Sequence, residues 1–300
     1  WAEDALSMPA PLYKRWRKHH GEERAEELAR LALEEPTLSV RWTDEAARAE
    51  LEELGARPGR HANVVLLPPG STSAIVGSAA FREGRATIQG ETALRAAELV
   101  EAQAGERIID VCAAPGGKAV RFADLCGDAE IVAADRSARR LGSLRQTLAR
   151  TGAAGIRLLV ADGLRPATRG GFGRVLVDAP CSNTGVLGRR PDARWRRGPE
   201  DVNRLATLQG ELLDAGREQV GPGGLLVYST CSLEPEENEH VVRDYLSRHP
   251  GDTIVSAAEV LPEEIVEDGC LRVEPHEHGT DGAFAAAIRP GTRGLSVVAR

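Results

Sequence analysis

Apolar residues recur at helical spacing through residues 22–35, at Ala25, Leu28, Ala29, Leu31 and Ala32, and predict a helix there. A second helix is predicted over residues 44–54, with Asp44 as its N-cap and Gly55 as its stop. The short apolar runs at residues 63–67 and 85–89 read as strands, and the turn-rich segment from Pro68 to Ser73 lies between them. The opening of the chain therefore reads as a helical leader (residues 1–36) and a small α+β unit (residues 37–90).

From Glu91 the rhythm changes. A helix over 91–103 precedes a strand over 106–112, and a Gly-rich loop and another helix follow. Next come a strand over 130–135, a helix over 137–150, a strand ending at Asp162 and a strand beginning at Arg174. A long polar loop leads to a helix over 199–220, then to a strand ending just before Cys231 and a helix over 235–248. Strands alternating with helices predict a mostly parallel, doubly wound α/β sheet, so residues 91–300 read as one Rossmann-like domain.

Composition narrows the class. No run of ~18 uncharged apolar residues occurs, and the N-terminus has no apolar signal-peptide core, so no membrane span and a cytoplasmic location are expected. With no initiator methionine, the chain reads as a fragment lacking upstream residues. Its five cysteines are widely spaced, which suits reduced thiols. There is no Cys-x-x-Cys or His-x-x-x-His pair, so no metal centre is expected. The net charge of −7 does not mark a broad nucleic-acid coat, so the distribution of charge matters more than the total.

Ligands of a doubly wound sheet sit beyond the carboxyl ends of its strands. The polar residues at those predicted ends are Asp110 to Lys118, Asp135, Asp162, Asp178 and Cys231. The loop "AAPGGK" is neither a dinucleotide fingerprint nor a phosphate loop, because Ala119 stands where a magnesium-binding hydroxyl would be needed. Its two glycines, Gly116 and Gly117, still admit a ligand close to the backbone at a helix N-terminus suited to a carboxylate. Asp135, at the next strand end, is placed for ribose hydroxyls, and Asp162 for an adenine amino group. A nucleoside carrying an amino-acid tail, S-adenosylmethionine, fits the set.

Two cysteines follow strands in similar company, Cys181 in "DAPCSNTG" and Cys231 in "YSTCSLEPEENE". A pyrimidine is a poor nucleophile at carbon 5, and thiolate addition at carbon 6 makes carbon 5 enamine-like and able to take a methyl group. Asp178 is placed to steady the base at its N3 edge. A second thiol would assist release of the product. Spacing alone leaves open which cysteine does which. Cys126 and Cys270, and the thiol of Cys112, read as small buried hydrophobes.

The stretches "DVCAAPGGKA", "DAPCSNTGVLGRRPDARWR" and "YSTCSLEPEENE" resemble motifs I, IV and VI of the RNA cytosine-5 methyltransferases of the Sun/Nop2 class, most of all the bacterial 16S rRNA enzymes. The resemblance covers residues 37 to 289. It implies an S-adenosylmethionine-dependent methyltransferase fold, Cys231 as the nucleophile and Cys181 as the thiol that promotes release. It also implies cofactor contacts from Cys112, Ala113, Ala114, Pro115, Gly116, Gly117 and Lys118, with Asp135, Asp162 and Asp178. Two departures stand out. The helical RNA-binding domain that usually precedes the bacterial rRNA enzymes is reduced here to a possible remnant within residues 1–36. The family's "DGFF"-like run reads "DGAF" at residues 281–284.

The loop "RRPDARWRR" supplies five arginines, Arg189, Arg190, Arg194, Arg196 and Arg197, and Trp195. Arginines pair with phosphates and Trp stacks on exposed bases, so this loop is the candidate RNA contact; ion pairs to Asp192 and Glu200 are the structural alternative. The expected partner is RNA, rRNA first and tRNA as an alternative, met by a monomer. A non-catalytic RNA-binding factor for ribosome assembly is the reading from another class.

Overall fold

The computed structural model describes residues 2–153, 155–196 and 198–291. Its centre is an open sheet in the order β7-β6-β5-β8-β9, all parallel, extended by antiparallel strands β13, β12 and β11. In chain order the strands of this sheet are β5 Arg107–Asp110, β6 Glu130–Asp135, β7 Ile156–Val160, β8 Phe172–Asp178 and β9 Val220–Thr230, then β10 Thr253–Val255, β11 Val266–Glu267, β12 Cys270–Val273 and β13 Ala283–Arg289. Strand β10 pairs with β13. The four earlier strands, β1 Leu38–Trp42, β2 Arg57–Pro58, β3 Val64–Leu67 and β4 Ala86–Ile88, form a separate antiparallel sheet in the order β2-β3-β1-β4.

The central strands are apolar on both faces because helices cover both. Ile108, Leu176 and Val227 point into one layer, with Phe122 and Ala97 from the helices over 117–125 and 91–98. Their chain neighbours Ile109, Val175, Val177, Leu226 and Tyr228 point into the other, against Leu212, Leu213 and Tyr245 from the helices over 199–217 and 239–248. The two-residue period of a strand thus yields unbroken apolar runs. Each fully buried Leu, Ile or Val contributes ~1.5–3 kcal/mol.

Chain order reverses between β5 and β8: from β5 the chain runs outward to β6 and β7, then returns to β8 and β9. That switch point opens a crevice at the carboxyl ends of β5 and β8.

The leader is three helices, α1 Ala2–Leu6, α2 Ala10–His20 and α3 Glu22–Leu31. The predicted helix over 22–35 is therefore shorter, and α2 lies within the expected helical leader. Leu12, Tyr13 and Trp16 of α2 pack with Leu28 and Ala29 of α3 onto Leu187 and Leu233, in the loops that follow the two cysteines. Trp16 Nε1 donates to Glu234 Oε1 (3.0 Å), and Arg15 Nε donates to Glu234 Oε2 (2.9 Å). Tyr13 and Trp16 are thus turned inward and Arg15 is half-buried, while Lys14, Arg17 and Lys18 stay exposed. The small sheet is fastened by Arg41, which is buried, bonds to Gln89 and forms an ion pair with Asp124 of the helix over 117–125.

Asp44 caps the helix Glu45–Glu53 through the Ala47 N–H. The expected helix over 91–103 stops at Glu98, and the expected helix over 235–248 is split. Asn238 interrupts it, because its side chain bridges the Thr230 hydroxyl and the Ser232 carbonyl. No helix among the described residues is long and apolar enough to cross a membrane.

Candidate active site

A cleft of about 500 Å³ lies over the switch point, lined by Cys112, Ala114, Lys118, Asp178, Cys181 and Cys231 among others. The two cysteines arrive from neighbouring strands. β8 and β9 run in register through Asp178 and Ser229, so the loops beyond them leave side by side. Cys181 Sγ and Cys231 Sγ are 3.2 Å apart. Cys231 also donates to Asn183 Oδ1 (3.3 Å), and Asn183 adopts a left-handed backbone, a region Asn tolerates better than most residues.

The hydrogen bond to Cys231, together with burial, holds the Cys181 thiol well above the ordinary thiol range. Cys181 therefore stays protonated. Either sulfur can donate in the pair.

Asp178 is clamped at the cleft floor. Lys118 Nζ donates to its Oδ2 (2.7 Å) and Ser229 Oγ to its Oδ1 (2.8 Å). Burial pulls Lys118 down, but the Asp178 carboxylate outweighs it and holds the ammonium above the ordinary lysine range. Beneath them Asp110 is buried, and its Oδ1 has no hydrogen-bond partner. Burial first, and then repulsion from Asp178, push its carboxyl up to about 8.

One carboxylate organises both cysteine loops. Glu237 Oε1 accepts the Ser182 N–H (2.9 Å) and Gln209 Nε2 (3.0 Å), and its Oε2 accepts the hydroxyls of Ser182 and Ser232. The residue after each cysteine is thus tied to a single buried side chain. Sequence reasoning missed Glu237, and its signal was the acidic run after the second cysteine. Two glycines bring the loops closer still. Gly185 N–H donates to the Cys231 carbonyl (3.0 Å), and Gly282 N–H donates to the Gly185 carbonyl (2.8 Å).

The loop Cys112–Lys118 leads into the helix Gly117–Leu125, with Gly116 at its N-cap in a left-handed conformation at φ +108°. Asp135 is buried at the end of β6, where it accepts from the backbone of Ala114 (3.3 Å) and Ser137 (2.8 Å) and from Arg140 (2.8 Å). It braces the loop from below. Asp162 is exposed beyond the edge strand β7, accepts the Leu164 N–H (3.1 Å) and does not line the cleft that holds the thiols.

The expected arginine contacts divide. Arg190 is exposed at the cleft, Trp195 is exposed nearby, and Arg196 is exposed and paired with Asp192 at 3.3 Å. Arg189 is half-buried, bonded to Asp281 and to the Thr37 carbonyl. Arg194 departs furthest from the expectation: it is 4% exposed and donates to the carbonyls of Ser7 and Ala32. It fastens the leader and is turned away from any phosphate. Arg197 lies outside the described residues.

The sequence profile of the 16S rRNA methyltransferase RsmB/F family matches residues 97–289. The probable ribosomal RNA small subunit methyltransferase B of Bacillus subtilis (strain 168) is 32% identical over 296 residues, spanning 94% of this chain and 66% of that protein. The ribosomal RNA small subunit methyltransferase B of Cronobacter sakazakii is 40% identical over 211 residues, 67% of this chain and 48% of its own length. A solved methyltransferase homolog protein from Pyrococcus horikoshii superposes with a TM-score of 0.80 at 29% identity, covering 95% of this chain and 96% of that one. This chain thus spans about half to two thirds of the length of these curated relatives.

Proposed function

Because the chain belongs to the 16S rRNA methyltransferase RsmB/F family, we propose that it methylates carbon 5 of a cytosine in small-subunit rRNA through a covalent cysteine adduct. The observation that carries this reading is the thiol pair, Cys181 and Cys231 at 3.2 Å, set in one cleft with the clamped Asp178.

The cleft suits S-adenosylmethionine. Its cationic ammonium and sulfonium groups would meet the Asp178 carboxylate that lines the cleft, above Asp110, whose buried Oδ1 has no partner. Its carboxylate matches the N-terminus of the helix Gly117–Leu125, whose N-cap is Gly116. Cys112 to Lys118 would hold the amino-acid part, with Asp135 bracing them, and Asp162 would meet the outer, adenine end. When bound, the cofactor supplies an electrophilic methyl group.

Cys231 acts as the nucleophile. Its thiolate adds to carbon 6, and the displaced electron pair makes carbon 5 nucleophilic toward the methyl. Asp178, held in place by Lys118 and Ser229, accepts a hydrogen bond from N3–H, the ring nitrogen being protonated as the thiolate adds, and so stabilises the adduct. Product release needs the carbon-5 proton to leave while the carbon 6–sulfur bond breaks. Cys181 serves as a relay: its own proton covers the departing Cys231 sulfur, and it takes up the carbon-5 proton in exchange. The raised range of the Cys181 thiol favours this role over that of attacking thiolate.

RNA would approach over Arg190, Trp195 and Arg196, the exposed members of the arginine loop. The test is incubation with methyl-labelled S-adenosylmethionine and, in parallel, unmodified 16S rRNA or tRNA transcripts, followed by digestion to nucleosides. Labelled 5-methylcytidine is the expected product. Label on another nucleoside, or on tRNA alone, would contradict the proposal.

A further inference from the structure

The leader and the C-terminal hairpin meet at a cluster that the methyltransferase chemistry does not use. His20 ends α2, while Glu274, His276 and Glu277 lie at and just beyond the end of β12. Glu274, His276 and Glu277 each place one potential ligand atom within 4.8 Å of the others. His276 Nδ1 is 3.5 Å from Glu274 Oε2, and His276 Nε2 is 3.6 Å from Glu277 Oε1. His20 Nδ1 comes from the opposite side to the same Glu274 oxygen, at 3.6 Å.

Glu277 is exposed, but the two imidazoles and Glu274 are largely buried. The side chains of His276 and His20 are 4% and 9% exposed. Both ring nitrogens of His276, Nε2 of His20 and Oε2 of Glu274 have no hydrogen-bond partner. Leaving such atoms bare costs about 1–3 kcal/mol each; of them His276 Nδ1 and Glu274 Oε2 face one another, and His20 turns its other ring nitrogen, Nδ1, to the same oxygen. The separations are too long for good hydrogen bonds. Two ligands ~2.0–2.1 Å from zinc at a tetrahedral angle lie roughly 3.4 Å apart, and the separations that fit one ion are those meeting at Glu274 Oε2, from His276 Nδ1 at 3.5 Å and His20 Nδ1 at 3.6 Å; Glu277 faces the other ring nitrogen of His276. Nearby cations do not fill the gap. Arg272 is engaged with Glu239 and Glu267 and reaches only the other oxygen of Glu274, at 4.0 Å, and Arg24 reaches Glu277 at 3.5 Å.

We propose that His20, Glu274 and His276 bind one divalent transition metal ion of the zinc class, and that this ion clamps the leader to the C-terminal hairpin. Imidazole and carboxylate donors select such an ion over calcium or magnesium. No metal was expected from the sequence because that expectation rested on closely spaced ligand pairs. Here one ligand comes from the leader and the others from the far end of the chain. The clamp has a structural consequence. The leader rests on Leu187 and Leu233, beyond the two cysteines, so the ion would stiffen the wall of the cleft from outside.

The test uses the purified chain, stripped with a chelator and titrated with Co²⁺ or Zn²⁺ against a chromophoric competitor. One ion per chain is expected, with a Co²⁺ spectrum that lacks the near-ultraviolet sulfur charge-transfer band. Binding should persist in the Cys181→Ser/Cys231→Ser double variant and weaken at least tenfold in His276→Gln and in Glu274→Gln. Zn²⁺ should also slow proteolytic cleavage between the leader and the body. A chain that takes up no ion, or a sulfur band that disappears in the double-cysteine variant, overturns the proposal. So does undiminished binding in His276→Gln. Should the His276 and Glu274 variants fail to fold, the wild-type stoichiometry and cobalt spectrum still decide.

Discussion

Glu237 grips Ser182 twice, accepting its backbone N–H at 2.9 Å and its hydroxyl through the second carboxylate oxygen. Because Ser232 ends on the same oxygen, the spacing of the two thiols depends on one buried carboxylate. Glu237→Gln replaces an acceptor with an N–H₂ group that faces donors. We expect a loss of roughly 2–4 kcal/mol in denaturant unfolding. Methyl transfer should fall further than stability accounts for, with cofactor affinity measured by calorimetry changed little.

Asp110 sets a pH dependence. Its folded-state carboxyl is pushed up to about 8, well above the value it takes when unfolded, so the native state holds its proton more tightly. The associated stability is fully present below about pH 4 and is lost as pH rises toward 8, on the order of a few kcal/mol in all. Asp110→Asn keeps the uncharged form. Unfolding curves of the variant should match wild type near pH 4 and show a gain near pH 8; an equal effect at both would refute this assignment.

Gly185 has no room for a side chain. A Cβ there would sit 2.7 Å from the Gly282 carbonyl oxygen and 2.9 Å from that of Cys231, both backbone atoms that cannot swing aside. Gly185→Ala should cost about 1–3 kcal/mol by overpacking and displace Cys231. Loss of alkylation selectivity between Cys231 and Cys181, read by mass spectrometry, would report that displacement.

The arginine loop should split by burial. Arg190→Ala is expected to weaken RNA binding and lower the salt slope by about 1, leaving thermal stability unchanged. Arg194→Ala removes two bonds to the leader and should lower stability by about 2–3 kcal/mol, with little change in RNA salt slope. Identical behaviour of the two variants in both assays would count against this division.

Much of this architecture is legible in the chain. The runs through β5, β6, β8 and β9 are apolar because both faces are covered, and the polar residue closing each run marks the cleft side. The antiparallel extension escaped notice because "AFAAAIR" is alanine-rich, low in strand propensity and without alternation, yet β13 is buried between β9 and β12. The inward contacts of helix α2 were hidden by its basic face, whose arginine Arg15 turns out to meet Glu234 and Glu236. At the site, the juxtaposition of two Cys-Ser pairs after strands was readable. The Glu237 tie and the inward turn of Arg194 were not, because each depends on contacts distant in sequence.

The central claim is the division of labour between two thiols 3.2 Å apart. The most direct measurement is a denaturing gel of each cysteine variant incubated with S-adenosylmethionine and 16S rRNA transcript. Cys181→Ala should accumulate a covalent protein–RNA band that resolves slowly, because attack proceeds and release stalls. Cys231→Ala should give no band. A band from Cys231→Ala and none from Cys181→Ala would exchange the two roles, and the absence of a band from both would contradict the covalent route.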